Sequence, residues 1–260
     1  MRDTPESFQR KLAQFVEETG ASPDRSRGAR EGFSPAFKDT SGFESAPIRL
    51  PPSQTPISDN ALNAIVTFEV SGEQAYNRLY QRPLWPGGQS GVTIGIGYDL
   101  GYASEDEFQA DWNGALEQAA LDRLKTVLGK AGGPSLNDAA MKALAQSVQD
   151  VATPFAAANR VFRGRSIPLY VALTEHSLQN TSALGQNSLG ALVSLVYNRG
   201  ASFGRPEDRY AEMRSIAQHM KDQAFARIPD DLRGMKRLWP DAPGLQKRRD
   251  LEADLFAMDL

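Results

Sequence analysis

The 260-residue chain contains no cysteine, which excludes disulfides, thiolate metal sites and a cysteine nucleophile. Histidine is almost as scarce: only His176 and His219 occur, far apart and outside any H-E-x-x-H pattern. A zinc site built on imidazoles needs several ligands held close together. We therefore expect the chain to need no metal and no other cofactor.

Long apolar runs are also missing, so the sequence predicts no transmembrane helix and no membrane insertion. The first fifteen residues lack the apolar core of a secretory signal, which predicts synthesis in the cytoplasm without a signal peptide. The net charge of −3 and the pI near 5.6 argue against a nucleic-acid partner, which usually meets a basic surface. A hydrophobic fraction of 40% is ordinary for a globular protein. We expect the chain to be a monomer.

The first 57 residues differ in composition from the rest. Residues 6–18 predict one short amphipathic helix, because Phe8, Leu12, Phe15 and Val16 have helical spacing. Residues 21–56 are rich in Ser, Pro, Gly, Asp and Arg, which is typical of a linker or a loosely wrapped arm. The segment is either an ordinary N-terminal extension or the end of a linker from a larger polypeptide. We therefore predict an N-terminal arm over residues 1–57, dispensable for activity, and one catalytic domain over residues 58–260.

The catalytic domain is predicted to be α+β and mostly α. Ser58 offers a helix N-cap before an apolar stretch that ends at Ser71-Gly72. Alternating β-branched residues and glycines over residues 83–101 predict a small Gly-rich sheet. A helical bundle follows, with a ligand cleft expected between sheet and bundle. Helices are predicted near 104–130 (with a Ser104–Glu107 capping box), 135–149, 151–163, 166–179, 185–199, 207–222 and 243–258.

Glu69 is the first candidate for chemistry. It lies between Phe68 and Val70 at the C-terminal end of an apolar helix. Desolvation and the negative end of the helix dipole both raise a carboxyl pKa and favour a protonated acid. Cleavage of a glycosidic bond needs such an acid. A solvated glutamate at a helix end is the structural alternative.

The second candidate segment is the Gly-rich stretch of residues 91–99. Glycine at positions 91, 95 and 97 permits close approach of a sugar or of another backbone, and leaves Thr93 and Asp99 as the polar groups able to point to one face. A G-x-G pattern is present, but no G-x-G-x-x-G that opens a helix, so a phosphate-binding loop is poorly supported. A purely structural hairpin is the alternative.

Several segments together resemble the lysozyme-like superfamily, in particular phage-type lysozymes. Residues 67–69 (TFE) and 93–97 (TIGIG) resemble the end of that family's first helix and its T-I-G-x-G strand. Residues 189–200 resemble its A-L-V-S-F-x-F-N-x-G helix, and residues 239–256 its closing W…G-L-x-x-R-R-x-x-E-x-x-L-F segment. The similarity extends roughly from Ile57 to Phe256.

One departure from phage lysozymes concerns the second carboxylate. The family has an aspartate between the glutamate and the threonine, whereas residues 76–92 contain neither Asp nor Glu. The order Glu69, Thr93, Asp99 resembles instead the pesticin-type muramidase domain of bacterial toxins. The resemblance therefore implies a muramidase that cuts the β-1,4 bond between N-acetylmuramic acid and N-acetylglucosamine in peptidoglycan. Its catalytic residues would be Glu69 as acid, Asp99 as base and Thr93 holding the attacking water.

The residues support these roles independently, because acid and base chemistry requires two carboxylates in different environments. Asp99 lies in a Gly-rich turn beside Tyr98, where we expect it to be wetter than Glu69 and ionised. Trp85 and Tyr98 are candidates for stacking on sugars, with turn packing as the alternative. Asn198 and Arg199 are candidates for the cleft floor, with helix capping as the alternative.

Arg248, Arg249 and Glu252 have the spacing of i,i+3 and i,i+4 pairs, and we expect them to stabilise the last helix. The resemblance further implies a bacteriolytic toxin or secreted effector that acts in the periplasm or cell wall of a target cell. Its partners would then include an immunity protein or a component of a secretion apparatus. A lytic transglycosylase, a phage endolysin and a non-catalytic glycan-binding domain are the alternatives.

Overall fold

The computed structural model describes residues 2–19 and 50–260, so most of the predicted linker over 21–56 lies outside the described residues. These residues form a mostly helical architecture with a small two-stranded antiparallel sheet, which confirms the α+β, mostly α prediction. None of the described helices is long and apolar enough to span a membrane. The elements are α1 (Pro5–Thr19), α2 (Asp59–Val70), α3 (Glu73–Leu79), β1 (Thr93–Ile94), β2 (Tyr98–Asp99), α4 (Glu105–Trp112), α5 (Gln118–Lys125), α6 (Asp138–Ser147), α7 (Phe155–Val161), α8 (Ile167–Ser177), α9 (Gln186–Arg199), α10 (Ala211–Lys221), α11 (Ile228–Gly234) and α12 (Pro243–Ala257).

The described residues form two compact units. The first combines residues 2–19, 50–71 and 168–260, and the second spans residues 72–167. The chain passes from one unit to the other after Ser71 and after Ile167. The first unit thus contains α1, α2 and the helices from α8 onward, and the second contains the hairpin and helices α3 to α7.

Helix α9 forms the centre of the first unit. Every residue of α9 from Ser188 to Arg199 is buried, as its LGALVSLVY sequence predicts for a helix covered on all sides. Gly190 permits the close approach of α2, because a Cβ atom at this position would lie 2.2 Å from the Ala61 Cβ. Alanine at position 190 would therefore force these helices apart.

Helix α2 begins and ends as its sequence predicts. The Ser58 side chain accepts a hydrogen bond from the Ala61 amide at 3.1 Å, which caps the first turn. Ser71 ends the helix in the left-handed region with φ 55°, and its amide donates to the Thr67 carbonyl. This termination leaves Glu69 in the last turn.

Helix α1 is an integral part of the first unit. Phe8, Leu12 and Phe15 are buried, as the predicted amphipathic spacing requires. Removing them from water stabilises the fold by roughly 1.5–3 kcal/mol for each side chain. We therefore expect deletion of residues 1–50 to reduce stability, while the dispensability of the segment before residue 57 for activity stays a prediction.

The second unit contains the predicted Gly-rich hairpin. Strands β1 and β2 pair with Thr93 opposite Asp99 and Ile94 opposite Tyr98. The connecting turn needs glycine, since Gly95 and Gly97 have φ values of 59° and 72°. Behind the hairpin lies an apolar core formed by Val92, Ile94, Leu100, Phe108, Trp112, Leu121, Leu124, Val127, Ala145, Val148, Val151 and Val161.

Two helix predictions are wrong in detail, and two helices were missed. The single helix predicted over 104–130 is two helices, because Gly114 adopts a φ of 67° between α4 and α5. Gly164 does not interrupt the chain: a π-helical turn over Phe162–Ser166 joins α7 directly to α8. The short helices α3 and α11 were not predicted, since seven residues carry too little periodic signal. The Ser104–Glu107 capping box is confirmed.

Candidate active site

Glu69 is held by an arginine from the far end of the chain. Arg248 Nη1 donates to Glu69 Oε1 at 2.9 Å, and the two side chains are only 6% and 11% exposed. Glu69 Oε2 has no hydrogen-bond partner among the described residues. The carboxyl group is therefore fixed through one oxygen, while the other remains available for proton transfer.

Arg248 is itself fixed on its remaining nitrogens. Its Nε donates to Glu252 Oε1 at 3.0 Å, and its Nη2 donates to the Ser194 carbonyl at 3.1 Å. The Ser194 hydroxyl also donates to Glu252 Oε1, at 2.6 Å. Burial acts to lower the pKa of Arg248, but the Glu69 and Glu252 carboxylates outweigh burial and raise it.

Arg249 extends the network away from Glu69. Its Nη2 donates to Glu252 Oε1 at 3.1 Å and to Asn198 Oδ1 at 2.9 Å. Burial, together with the nearby positive charge of Arg248, lowers the pKa of Arg249 to about 9, and Glu252 opposes this shift. The predicted pairing of Arg248 and Arg249 with Glu252 is confirmed.

The expected surroundings of Glu69 require one correction. Sequence reasoning placed the carboxyl group among apolar neighbours, where the neutral acid is favoured. The apolar neighbours are present, since the Phe68 ring lies 4.8 Å from the Arg248 guanidinium carbon. The Arg248 guanidinium also lies within hydrogen-bond distance, so the carboxyl group has a cation beside it as well as apolar neighbours.

Thr93 and Asp99 lie side by side in the second unit. They are paired across β1 and β2, which places directly opposite side chains on the same face of the sheet. Both are 8% exposed. Thr93 Oγ1 lies 3.5 Å from the Gly91 carbonyl oxygen, a long contact that leaves the hydroxyl weakly engaged.

The Asp99 carboxylate closes the base of the hairpin. Asp99 Oδ1 accepts hydrogen bonds from the Gly91 amide at 3.0 Å and the Gly101 amide at 2.8 Å. Gly91 also donates to Oδ2 at 3.2 Å. A Cβ atom at Gly91 would lie 2.3 Å from the Gly101 nitrogen, so here the glycines admit another backbone.

The expectation that Asp99 is wetter than Glu69 is wrong, because Asp99 is buried. Burial raises the pKa of Asp99 to about 7, although the Gly101 and Gly91 amides act to lower it. The reason is that desolvation of the charge exceeds what the backbone dipoles recover, and none of the described residues places a cation beside the carboxylate. Asp99 therefore changes protonation near neutral pH.

Trp85 and Tyr98 both have structural contacts in the second unit. Trp85 Nε1 donates to the Ser90 carbonyl at 2.9 Å, and its half-buried ring packs on the apolar core. Tyr98 Oη donates to Asp111 Oδ2 at 2.8 Å, and its ring packs edge-on against Trp112. Burial, with the Asp111 charge, raises the pKa of Tyr98. Their polar atoms thus serve the fold, and sugar stacking stays a prediction for the exposed parts of the rings.

Asn198 and Arg199 are buried at the end of α9, 5% and 4% exposed. Arg199 Nη2 donates to the Arg209 carbonyl at 2.8 Å, and its guanidinium lies 5.2 Å from the Trp239 ring centre. Neither residue caps the helix, because the Gly200 amide closes the last turn on Val196. Their contacts stabilise the interior of the first unit, so a role in substrate binding stays a prediction.

The residues that the sequence did not point to are the partners of Glu69. The sequence predicts only that Arg248, the partner of Glu69, stabilises α12, and it predicts no role for Ser194, which holds Arg248. The arginine pair in the last helix was the available signal, because two adjacent buried arginines require acidic partners. Among residues 2–19 and 50–260, no three His, Asp or Glu side chains are grouped so as to hold a metal ion.

The structure thus joins Glu69 to Arg248 in the first unit and Thr93 to Asp99 in the second. No curated protein and no solved structure matches the chain. A family described as a domain of unknown function (DUF8812) matches residues 64–164. That segment includes Glu69, Thr93 and Asp99 but ends before α9 and α12. Over this part of its length the chain is similar to a family whose function is unknown.

Proposed function

We propose that the chain is a glycan-strand hydrolase of peptidoglycan with a lysozyme-like fold and Glu69 as its general acid. The observation that carries the proposal is the Glu69 carboxyl group: one oxygen is bound by Arg248, and the other has no partner among the described residues. A carboxyl group fixed in orientation within a largely dehydrated network suits directed proton transfer.

The ion pair has a chemical consequence for the acid step. In that step Glu69 gives its proton to the leaving glycosidic oxygen and becomes a carboxylate. Arg248 stabilises this product form, which lowers the free energy of proton donation. Because Glu252 and Ser194 hold the guanidinium, this stabilisation needs no rearrangement during the reaction.

Asp99 and Thr93 are proposed as the groups that activate water. A base is most effective when its pKa lies near the working pH, and the pKa of Asp99 is raised to about 7. Thr93 is its direct cross-strand neighbour, and its hydroxyl is only weakly engaged. These features support the hydrolytic form of the proposal.

One observation favours a lytic transglycosylase as a second candidate. Both Asp99 oxygens already accept backbone hydrogen bonds, so this carboxylate also has a complete structural role in the hairpin. A transglycosylase needs one glutamate and no base for water. It would use Glu69 alone and release anhydro sugars.

The deciding experiment is mass spectrometry of the products from purified peptidoglycan. Reducing muropeptides are expected from the full chain and none from the Glu69→Gln variant. Anhydro muropeptides would replace the hydrolase with the transglycosylase. Absence of any product, with retained binding to insoluble peptidoglycan, would contradict catalysis and leave a glycan-binding domain.

The biological form of the proposal is a bacteriolytic toxin or effector domain that acts in the periplasm or cell wall after delivery. A phage endolysin is the alternative, and an immunity protein would be the partner of a toxin. We expect lysis when the chain is fused to a signal peptide and exported, and none when it stays in the cytoplasm. Exported Glu69→Gln chain should not lyse cells; equal lysis by this variant would contradict the proposal.

A further inference from the structure

Helix α1 contacts helix α2 beside the candidate acid. The Phe15 ring packs edge-on against the Phe68 ring, with centroids 5.3 Å apart and an interplanar angle of 79°. At the other end of α2, Gln9 Nε2 donates to Asn60 Oδ1 at 2.8 Å. Phe68 directly precedes Glu69, so the aromatic contact lies next to the residue proposed to act as acid.

The same helix contacts α12 beside the arginine that binds Glu69. Lys11 forms an ion pair with Asp254 at 2.6 Å, and Glu18 forms one with Lys247. Lys247 directly precedes Arg248. Helix α1 therefore contacts both helices that carry the Glu69–Arg248 pair.

We propose that Phe15 is a positioning residue for Glu69, acting through Phe68 and Arg248. The inference rests on the proposed function, since Glu69 is the acid only in that proposal. It assigns a role to a residue outside the predicted catalytic domain. The contacts form a continuous series: Phe15 on Phe68, Phe68 4.8 Å from the Arg248 guanidinium carbon, and Arg248 2.9 Å from Glu69.

The geometry determines which bond weakens when Phe15 is shortened. Phe68 would relax into the space left by the lost ring, and the Arg248 guanidinium would lose its aromatic support. Glu252 and Ser194 would still hold that guanidinium from α12 and α9. The contact left free to lengthen is therefore the one with Glu69.

The activity test compares Phe15→Ala with Phe8→Ala in the full chain. Phe8 is equally a buried phenylalanine of α1 but has no ring contact with Phe68 among the described residues. Because misplacement of a catalytic group reduces the rate of the chemical step, we expect Phe15→Ala to lower kcat about tenfold with little change in KM. Phe8→Ala should lower the melting temperature and leave kcat within about twofold when assayed well below that temperature.

A conservative change gives a further check on positioning. Phe15→Leu fills most of the lost volume and should hold Phe68 in place, so most of the lost kcat should return. An equal fall in kcat for Phe15→Ala and Phe8→Ala would overturn the inference, because it would reflect only the loosening of α1. Wild-type kcat in a folded Phe15→Ala variant would overturn it as well.

A second measurement does not depend on activity. In a double-mutant cycle, Phe15→Ala is combined with Glu69→Gln and unfolding in urea is measured. We expect the two changes to be coupled by about fivefold in the unfolding equilibrium constant, against no more than about twofold for Phe8→Ala with Glu69→Gln. Coupling in a chain that cuts no glycan would refute the proposed function and support the contact series. Activity without coupling would refute the inference alone.

Discussion

Arg248, in the last helix, donates a hydrogen bond to Glu69 at 2.9 Å across a separation of 179 residues in sequence. Both side chains are largely removed from water, and Arg248 also pairs with Glu252. A cation shared by two buried carboxylates contributes to the stability of the fold and sets the electrostatic surroundings of the candidate acid.

Glu69→Gln should lower kcat on peptidoglycan by about two to four orders of magnitude, because the amide keeps the shape of the side chain but has no acidic proton. Rates are measured by release of soluble muropeptides, with circular dichroism to confirm folding. Glu73→Gln makes the same chemical change four residues later at an exposed position and should retain full activity. A Glu69→Gln variant as active as the wild type would exclude Glu69 as the acid.

Arg248→Met should destabilise the chain by about 3–5 kcal/mol, because it leaves Glu69 and Glu252 as buried carboxylates without their shared cation. Arg248→Lys keeps the charge and should lose much less stability, but it cannot make all the guanidinium contacts. Urea unfolding monitored by tryptophan fluorescence gives both values. Arg123→Met, which breaks an exposed pair with Asp150, serves as the control and should have little effect.

Asp99 should make stability fall as the pH rises. Burial raises its pKa from 3.8 to about 7 in the folded chain, so the folded state binds a proton that the unfolded chain has released. The protonated Asp99 side chain thus stabilises the folded state fully below about pH 4, and this contribution is lost as the pH rises through 7. The free energy of unfolding falls by an amount on the order of a few kcal/mol.

Asp99→Asn removes this titration, and Asn Oδ1 can still accept from the Gly91 and Gly101 amides. Unfolding is measured from pH 4 to 8 for the wild type, for Asp99→Asn and for Asp150→Asn, which alters an exposed carboxylate. Only Asp99→Asn should flatten the curve. Parallel curves for the wild type and Asp99→Asn would show that Asp99 does not titrate in this range.

Thr93 is tested by removing its hydroxyl without changing its shape. Thr93→Val retains the β-branched volume opposite Asp99, and should lower kcat up to about tenfold if the hydroxyl holds water through one hydrogen bond. Thr93→Ser should keep most of the activity.

We expect the losses to rank Glu69→Gln first, Asp99→Asn second and Thr93→Val third. Full activity of folded Asp99→Asn, with inactive Glu69→Gln, would favour the transglycosylase.

The sequence by itself determined the local structure. Ser58 and Ser71 cap the two ends of α2, and Ser104 caps the start of α4. Gly95 and Gly97 form the hairpin turn. These features were predictable because caps and positive φ values depend on residues close in the chain. The class of fold followed from the order of these patterns. The i,i+3 and i,i+4 pairs of α12 were equally predictable, since one helical turn fixes their distance.

Only the tertiary structure decided the surroundings of the candidate carboxylates. The partner of Glu69 comes from α12 and the support of its neighbour Phe68 comes from α1, which no local pattern indicates. The sequence predicted a buried, neutral Glu69 and a wet, ionised Asp99, whereas Glu69 is paired with a cation and Asp99 is buried with none among the described residues. Charge state depends on desolvation and on charges within a few ångströms, and the packing of distant segments sets both.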